Sequence, residues 1–130
     1  MKILSLNTHS YLEEESEKKL VYLAKSIRDI EPDIVALQEV NQNKAALTVS
    51  DLTDVVFAQH GKRLKSDNFG LRCADLLKDM GYKLIWLGIK QGYKKYDEGV
   101  CFLSRLPIEA VDFFRISKRD DYNNWKKRMT

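Results

Sequence analysis

The first 40 residues hold two runs of β-forming residues separated by a helix-forming segment, and this order constrains the fold more than any other feature. The run "KILSL" predicts a strand from Lys2 to Leu6 that ends at Asn7. The second run, "DIVALQE", follows Pro32, which disfavours helical geometry at Glu31. Two strands joined by a crossover helix are parallel in nearly all known proteins. Their carboxyl ends should therefore lie at one edge of a sheet.

The segment between these runs predicts an amphipathic helix that closes at Glu31. Three consecutive glutamates, at positions 13 to 15, supply the acidic first turn that the helix dipole favours. Apolar residues then recur at helical spacing and predict the buried face, namely Leu20, Leu23, Ala24, Ile27 and Ile30.

A second helix is predicted after a region of weak pattern. Residues 41–65 show no consistent period, although a helical turn or a short strand would fit, and we interpret them as a variable loop. Asp67 or Asn68 can cap the helix, and Gly81 stands where a C′ glycine belongs. Its apolar positions share one face, namely Phe69, Cys73, Leu76, Leu77 and Met80.

The remaining pattern predicts three strands, "YKLIWLGI", "EGVCFLS" and "IEAVDFFRIS", separated by the turn-rich segments "QGYKKYD" and "RLP". We expect these strands to form an antiparallel meander. The predicted fold class is therefore α+β or α/β, with one mixed sheet and two helices.

Composition limits the class of protein. The 130 residues, 44% of them hydrophobic, fit one domain, and 22 basic against 19 acidic residues give a net charge of only +3. This bias cannot by itself indicate nucleic acid. Cys73 and Cys101 lack metal-site or redox spacing and are interpreted as buried free thiols. No apolar stretch is long enough for a signal peptide or a membrane span. We expect a soluble, cytoplasmic protein without membrane contact.

Asn7 and Glu39 are the main candidates for chemistry, because each ends a strand at the predicted shared edge. Open α/β sheets bind ligands at that edge. Mg²⁺ prefers oxygen ligands and is often held by one or two carboxylates together with waters and substrate phosphates. The carboxylate of Glu39 and the amide oxygen of Asn7 would suit it as metal ligands. The alternative is that Glu39 is merely the first solvated residue after a buried strand and that Asn7 is a turn former.

Two later segments are further candidates. If the strand beginning at Glu98 runs antiparallel to "DIVALQE", then Tyr96 and Glu98 lie at the same edge as Glu39. The ordinary alternative is an edge carboxylate and a half-buried aromatic residue. The segment "SKRDDYNNWKKR" interleaves basic and aromatic residues, as in surfaces that contact nucleic-acid backbones, although two aspartates dilute it. His9 and His60, the only histidines, are interpreted as structural or solvated, with His9 close to Asn7.

Three motifs together resemble the N-terminal half of the endonuclease/exonuclease/phosphatase superfamily, the DNase I-like metal-dependent phosphoesterases. They are "KILSLNTH", "PDIVALQEV" and "YDEGVCFLSRLPI", the last followed by "NNWKKR". The resemblance covers essentially the whole chain. It implies a DNase I-like sandwich, of which this chain would supply about half, and hydrolysis of a phosphodiester or phosphomonoester.

The resemblance also implies roles for individual residues. Glu39 would be the ligand of Mg²⁺, or of Mn²⁺, with Asn7 beside the metal and the scissile phosphate. Tyr96 would contact phosphate, and Glu98 would orient a catalytic histidine. Arg128, within a residue or two, would be a second phosphate contact.

The resemblance stops at a second half that the 130 residues do not contain, with its catalytic histidine, Asp-x-Asn and Asp-His motifs. We therefore expect residues 1–130 to be one incomplete domain that is truncated and inactive. An uncovered sheet face would promote association. The alternatives are a non-catalytic binding remnant of this fold and a basic nucleic-acid-binding domain.

Overall fold

The computed structural model describes residues 1–58, 63–114, 116 and 121–123. Five strands, two helices and two short 3₁₀ turns make up the described structure. The strands are β1 (Ile3–Asn7), β2 (Ile34–Asn43), β3 (Val55–Ala58), β4 (Lys83–Gly92) and β5 (Tyr96–Ser104). The helices are α1 (Ser16–Ile30) and α2 (Phe69–Leu76), and the 3₁₀ turns are Ser10–Leu12 and Lys78–Met80.

The strands form one mixed sheet in the order β1-β2-β5-β4-β3. β1 pairs with β2 in parallel, and Asn7 is aligned with Gln38. β5 is antiparallel to both of its neighbours, β2 and β4. The predicted parallel β1-α1-β2 unit is confirmed, and the start of β5 does lie beside the end of β2.

Both helices pack into one buried apolar cluster with the inward side chains of the sheet. The sheet contributes Val35 and Leu37 from β2 and Cys101 and Leu103 from β5, all completely buried. Between the last two, Phe102 points to the opposite face and is 40% exposed. The fold thus has one face covered by helices and one face that the helices leave open.

The helix boundaries follow local signals. α1 ends at Glu31, which adopts a left-handed conformation (φ 51°) immediately before Pro32. Asn68 caps α2, because its side chain accepts a hydrogen bond of 3.1 Å from the backbone N–H of Leu71. Gly81 has the left-handed φ of 75° expected of a capping glycine, but it follows the 3₁₀ turn Lys78–Met80 and not α2, which ends at Leu76.

Several predictions about these helices were wrong in detail. The glutamates at positions 13 to 15 precede α1, and Glu17 is the acidic residue of its first turn. The prediction that Ile30 and Leu76 lie on buried faces was wrong, since each is the last residue of its helix and they are 46% and 45% exposed. Cys73 and Cys101 are buried free thiols, as predicted.

Two further predictions about the sheet were wrong. Residues 41–65 are not simply a loop, since β2 continues to Asn43 and β3 forms the far edge of the sheet, parallel to β4. The third strand of the predicted meander does not form between residues 108 and 114, which instead cross the open face. There Phe113 packs against Phe57 with ring centroids 6.0 Å apart. No helix in the described ranges is long and apolar enough to cross a membrane.

Candidate metal and phosphate site

A cleft of about 620 Å³ opens at the sheet edge where β2 ends its parallel pairing and β5 begins. Glu39 and Glu98 both line this cleft, so the structure brings together two of the candidate residues. The other lining residues come from the turn after β1 and from the end of β4 and its hairpin, namely His9, Leu12, Lys90, Gln91, Gly92 and Tyr93.

Glu39 occupies a β-bulge in β2. The register of β2 against β5 shifts between Leu37 and Val40, and Glu39 has a left-handed backbone with a φ of 54°. This conformation is unfavourable for a residue other than glycine, so it persists only where the surroundings hold it. The bulge turns the Glu39 side chain out of the regular alternation of the strand. Its side chain remains one-third exposed.

Two hydroxyl groups that follow β1 hold this bulge. Ser10, which is buried, donates a hydrogen bond of 2.6 Å from its Oγ to the carbonyl oxygen of Glu39. The same Oγ accepts a hydrogen bond of 3.1 Å from the N–H of Asn41. Thr8 Oγ1 lies 3.0 Å from the carbonyl oxygen of Gln38 and 3.2 Å from that of Glu39. The turn after β1 therefore fixes the backbone that presents the carboxylate.

His9 links two carboxylates at the mouth of the cleft. Its Nε2 lies 3.2 Å from Glu39 Oε2, and its Nδ1 lies 3.1 Å from Glu13 Oε1. Glu13 is also paired with Lys19, and this contact, followed by the one with His9, lowers the pKa of the Glu13 carboxyl. The imidazole is thus held between carboxylates and restrains the position of Glu39.

Glu98 is paired with Lys90 across neighbouring strands. The two residues are in register, and Lys90 Nζ lies 2.9 Å from Glu98 Oε1. A second bulge, between Gly88 and Lys90 in β4, precedes this pair. Both bulges lie opposite Gly99 of β5, which is aligned with Val40 on one side and Gly88 on the other. The cleft is therefore built where β5 is flanked by two irregular strands.

The remaining candidates lie elsewhere. Asn7 is exposed at the same sheet edge, but it lines a neighbouring groove, and its Oδ1 accepts a hydrogen bond of 3.1 Å from the N–H of His9. Tyr96 does not line the cleft; its ring stacks on Tyr11 at a centroid distance of 6.2 Å. Arg128 lies outside the described residues, as does His60.

Comparisons with known proteins decide the family. The profile of the Endonuclease/Exonuclease/phosphatase family matches residues 4–126. The chain belongs to this family. It is similar to an endonuclease/exonuclease/phosphatase family protein from Leptotrichia buccalis C-1013-b, at 30% identity and a TM-score of 0.86 over 99% of the chain. A search of curated proteins finds no match.

The chain spans about half the length of the family member it resembles, since the match covers 46% of the Leptotrichia protein. A second family structure, an endonuclease/exonuclease/phosphatase from Beutenbergia cavernae DSM 12333, matches 89% of the chain and 28% of its own length. At 19% identity and a TM-score of 0.56, this second likeness concerns the fold alone.

Within the endonuclease/exonuclease/phosphatase fold of this chain, Glu39 is the candidate ligand for a hard cation at the cleft. Glu39 supplies a partly exposed carboxylate, and one of its oxygens contacts His9. No group of three or more His, Cys, Asp or Glu side chains is arranged for a metal in the described part of the chain. Mg²⁺ does not require such a group, because it keeps several waters and is held by only one or two carboxylates.

Sequence reasoning did not identify Thr8, Ser10 and Lys90 as parts of this site. The first two were visible as the polar cluster "NTHS" after β1, which was interpreted only as the end of a strand. Lys90 follows the apolar run "LIWLGI", and no local pattern shows that a bulge brings it beside Glu98.

Proposed function

We propose that this chain is part of a Mg²⁺-dependent phosphoesterase, acting on a phosphodiester or a phosphomonoester. Membership of the endonuclease/exonuclease/phosphatase family supports phosphoester chemistry in general. The observation that carries the metal assignment is the bulge, which holds the Glu39 carboxylate in a cleft that Glu98 also lines. A strained backbone at a charged residue is common where that residue has a function.

In this proposal Glu39 is the main protein ligand of the cation. Asn7, at the same edge, lies beside the scissile phosphate, and Glu98 keeps a basic side chain oriented in the cleft. When bound, Mg²⁺ would offset negative charge on the phosphoryl oxygens. Manganese has the same preference for oxygen ligands and could replace it.

Binding of the cation tests the assignment directly. Titration of the purified chain with Mg²⁺ by calorimetry, and with Mn²⁺ by electron paramagnetic resonance, should show one site that is lost in Glu39→Gln. Glu14→Gln removes an exposed carboxylate outside the cleft and should leave the site unchanged. Equal binding of Mg²⁺ and Mn²⁺ by the wild type and by Glu39→Gln would refute the assignment.

We also propose that residues 1–130 do not hydrolyse substrate on their own. The only histidines of the chain are His9 and His60, and His9 is engaged with Glu13 and Glu39. His9, the one histidine among the described residues, is therefore not placed to act as the general base that activates water. Hydrolysis of a generic phosphodiester by the isolated chain, dependent on Mg²⁺ and abolished in Glu39→Gln, would contradict this proposal.

A further inference from the structure

The open face of the sheet carries a row of uncharged side chains that crosses all five strands. Residues aligned on neighbouring strands point to the same face. The strand pairing aligns five residues in this row, one from each strand in spatial order, namely Ser5, Ala36, Phe102, Ile85 and Phe57. Phe102 belongs to the central strand, β5, and is 40% exposed. An uncharged row across an exposed face is typical of a surface that contacts another protein surface.

The two halves of this face differ in height. On the β3 side, residues 108–114 cross the face, and Phe113 of this segment packs against Phe57. On the β1 side the row ends in short side chains, and Ser5 is exposed. A cavity of about 450 Å³ lies between the crossing segment and the sheet, and Asp112 is the one charged residue among its described lining residues. The face therefore has a raised half and a low half, both largely uncharged.

A second copy of the chain matches this shape. A two-fold axis that runs parallel to β5 and passes beside Phe102 places the β3 side of each copy over the β1 side of the other. The raised half of one copy then lies over the low half of its partner, and the strands of the two sheets stay aligned, as they do in sandwiches. Because a two-fold contact brings the same surface patch of both copies together, charges near its axis would meet like charges. A row without charges avoids that repulsion.

We propose that the open face is the interface of a homodimer, in which this axis brings Phe102 of the two copies together. Phe113 of each copy lies over Ser5 and Ala36 of the other, so the raised half fills the space above the short side chains. This inference goes beyond the proposed function and does not depend on it. The occupant of the face is a second copy of this chain, because the face is complementary to itself.

The size of the face sets the expected strength of the dimer. Five strands and about six residues along each strand give a face about 20 Å wide and about 20 Å long. Its flat area, about 400 Å², is smaller than the roughly 800 Å² that each partner buries in a standard interface. We therefore expect a dimer that dissociates on dilution through the micromolar range.

Sedimentation equilibrium of the purified chain from about 1 to 200 μM, without metal, measures this association. Ser5→Lys puts a charge where the monomer is exposed and the dimer is closed, so it should raise the dissociation constant at least about tenfold. Ser26→Lys makes the same change at an exposed serine of α1, which packs on the opposite face, and should leave the constant unchanged. Urea unfolding shows that both variants are folded.

Cysteine variants test the position of the axis. Phe102→Cys should cross-link to its own copy with a short bismaleimide, because the two thiols face each other across sheets about 10 Å apart. Ser5→Cys lies in the same row but two strands from the axis, so its two copies are about 20 Å apart and should not cross-link. Cys73 and Cys101 are buried in the core and are present in both variants.

Four results would overturn the inference. One is a chain that stays monomeric over the whole concentration range, which would leave the open face to a different partner. The second is growth into species larger than a dimer, because a two-fold contact closes at two copies. The others are equal dissociation constants for Ser5→Lys and Ser26→Lys and equal cross-linking of the two cysteine variants. No measurement here uses Mg²⁺ or substrate, so its failure is distinct from failure of the proposed function.

Discussion

Ser10 and Glu39 are joined by a hydrogen bond of 2.6 Å from the serine hydroxyl to the glutamate carbonyl oxygen. The contact joins the turn after β1 to the bulge of β2, and both residues have left-handed backbones. The two strained segments therefore support each other. The position of the Glu39 carboxylate depends on a residue 29 positions earlier in the chain.

Ser10→Ala should lower the free energy of unfolding by about 1–3 kcal/mol, because the N–H of Asn41 loses this partner and the carbonyl of Glu39 keeps only the contact with Thr8. Urea unfolding measures the change. Ser50→Ala alters an exposed serine and should have little effect. Equal stability of the two variants would show that the hydroxyl does not hold the bulge.

Glu39→Gly should be more stable than Glu39→Ala by about 1 kcal/mol, because glycine adopts the left-handed conformation without the cost that a Cβ imposes. Thermal or urea unfolding of the two variants gives the difference. At Glu109, which has no left-handed backbone, the alanine variant should be at least as stable as the glycine variant. If the same variant, glycine or alanine, were the more stable at both positions, the backbone strain at Glu39 would be contradicted.

Gly99→Ala should lower the free energy of unfolding by about 3 kcal/mol, at the upper end of the cost of overpacking. A Cβ at this position would lie 2.1 Å from the carbonyl oxygen of Leu87, a backbone atom that cannot move away easily. Gly81→Ala is the control, because a Cβ there meets nothing within 4 Å and only the left-handed backbone is penalised. If Gly99→Ala lowered the free energy of unfolding less than Gly81→Ala, the backbone between the two bulges would tolerate a side chain at position 99.

Cys73 should make stability fall as the pH rises above 9. Burial raises the pKa of its thiol from 9.0 to about 12, so between these values the unfolded chain loses a proton that the folded protein keeps. The contribution is complete below pH 9 and is lost at about 1.4 kcal/mol per pH unit above it.

The measurement compares urea unfolding at pH 8 and pH 10. Cys73→Ala should decline less steeply than the wild type, whereas Leu77→Ala, which changes a buried residue of the same cluster, should keep the wild-type decline. Parallel declines in the wild type and in Cys73→Ala would mean that the thiol titrates normally in the folded protein.

The parts of the fold that local patterns specify were predicted from the sequence. The 3.6-residue spacing of α1, the break at Pro32 and the apolar run of β2 identified the β1-α1-β2 unit, and the rules of chain connection made it parallel. Local signals also indicated Asp67 or Asn68 as the cap of α2, and Asn68 is the residue that caps it. Each of these signals depends on residues that are close together in the sequence.

The wrong predictions concern segments whose structure depends on residues far apart in the sequence. β3 has only four residues at a sheet edge, so its strand character comes from pairing with β4. The apolar residues before position 115 suggested a strand, but Phe113 packs on the open face of the sheet against Phe57 instead of pairing with a strand, and it stays 38% exposed. A short apolar run by itself does not show whether a segment pairs as a strand or packs on the face of a sheet.

The sequence by itself determined that β1 and β2 would be parallel and that Asn7 and Glu39 would lie at one edge, because strand order and crossover hand follow from the chain. The prediction that β2 ends at Glu39 was wrong, since β2 continues to Asn43 beside β5. Only the tertiary structure decided which side chains share the cleft. Two bulges opposite Gly99 place Glu39 and Lys90 in the cleft that Glu98 also lines, whereas Asn7 and Tyr96 do not line it. A bulge is set by the hydrogen bonds between strands and their supporting hydroxyls, and these partners lie far apart in the sequence.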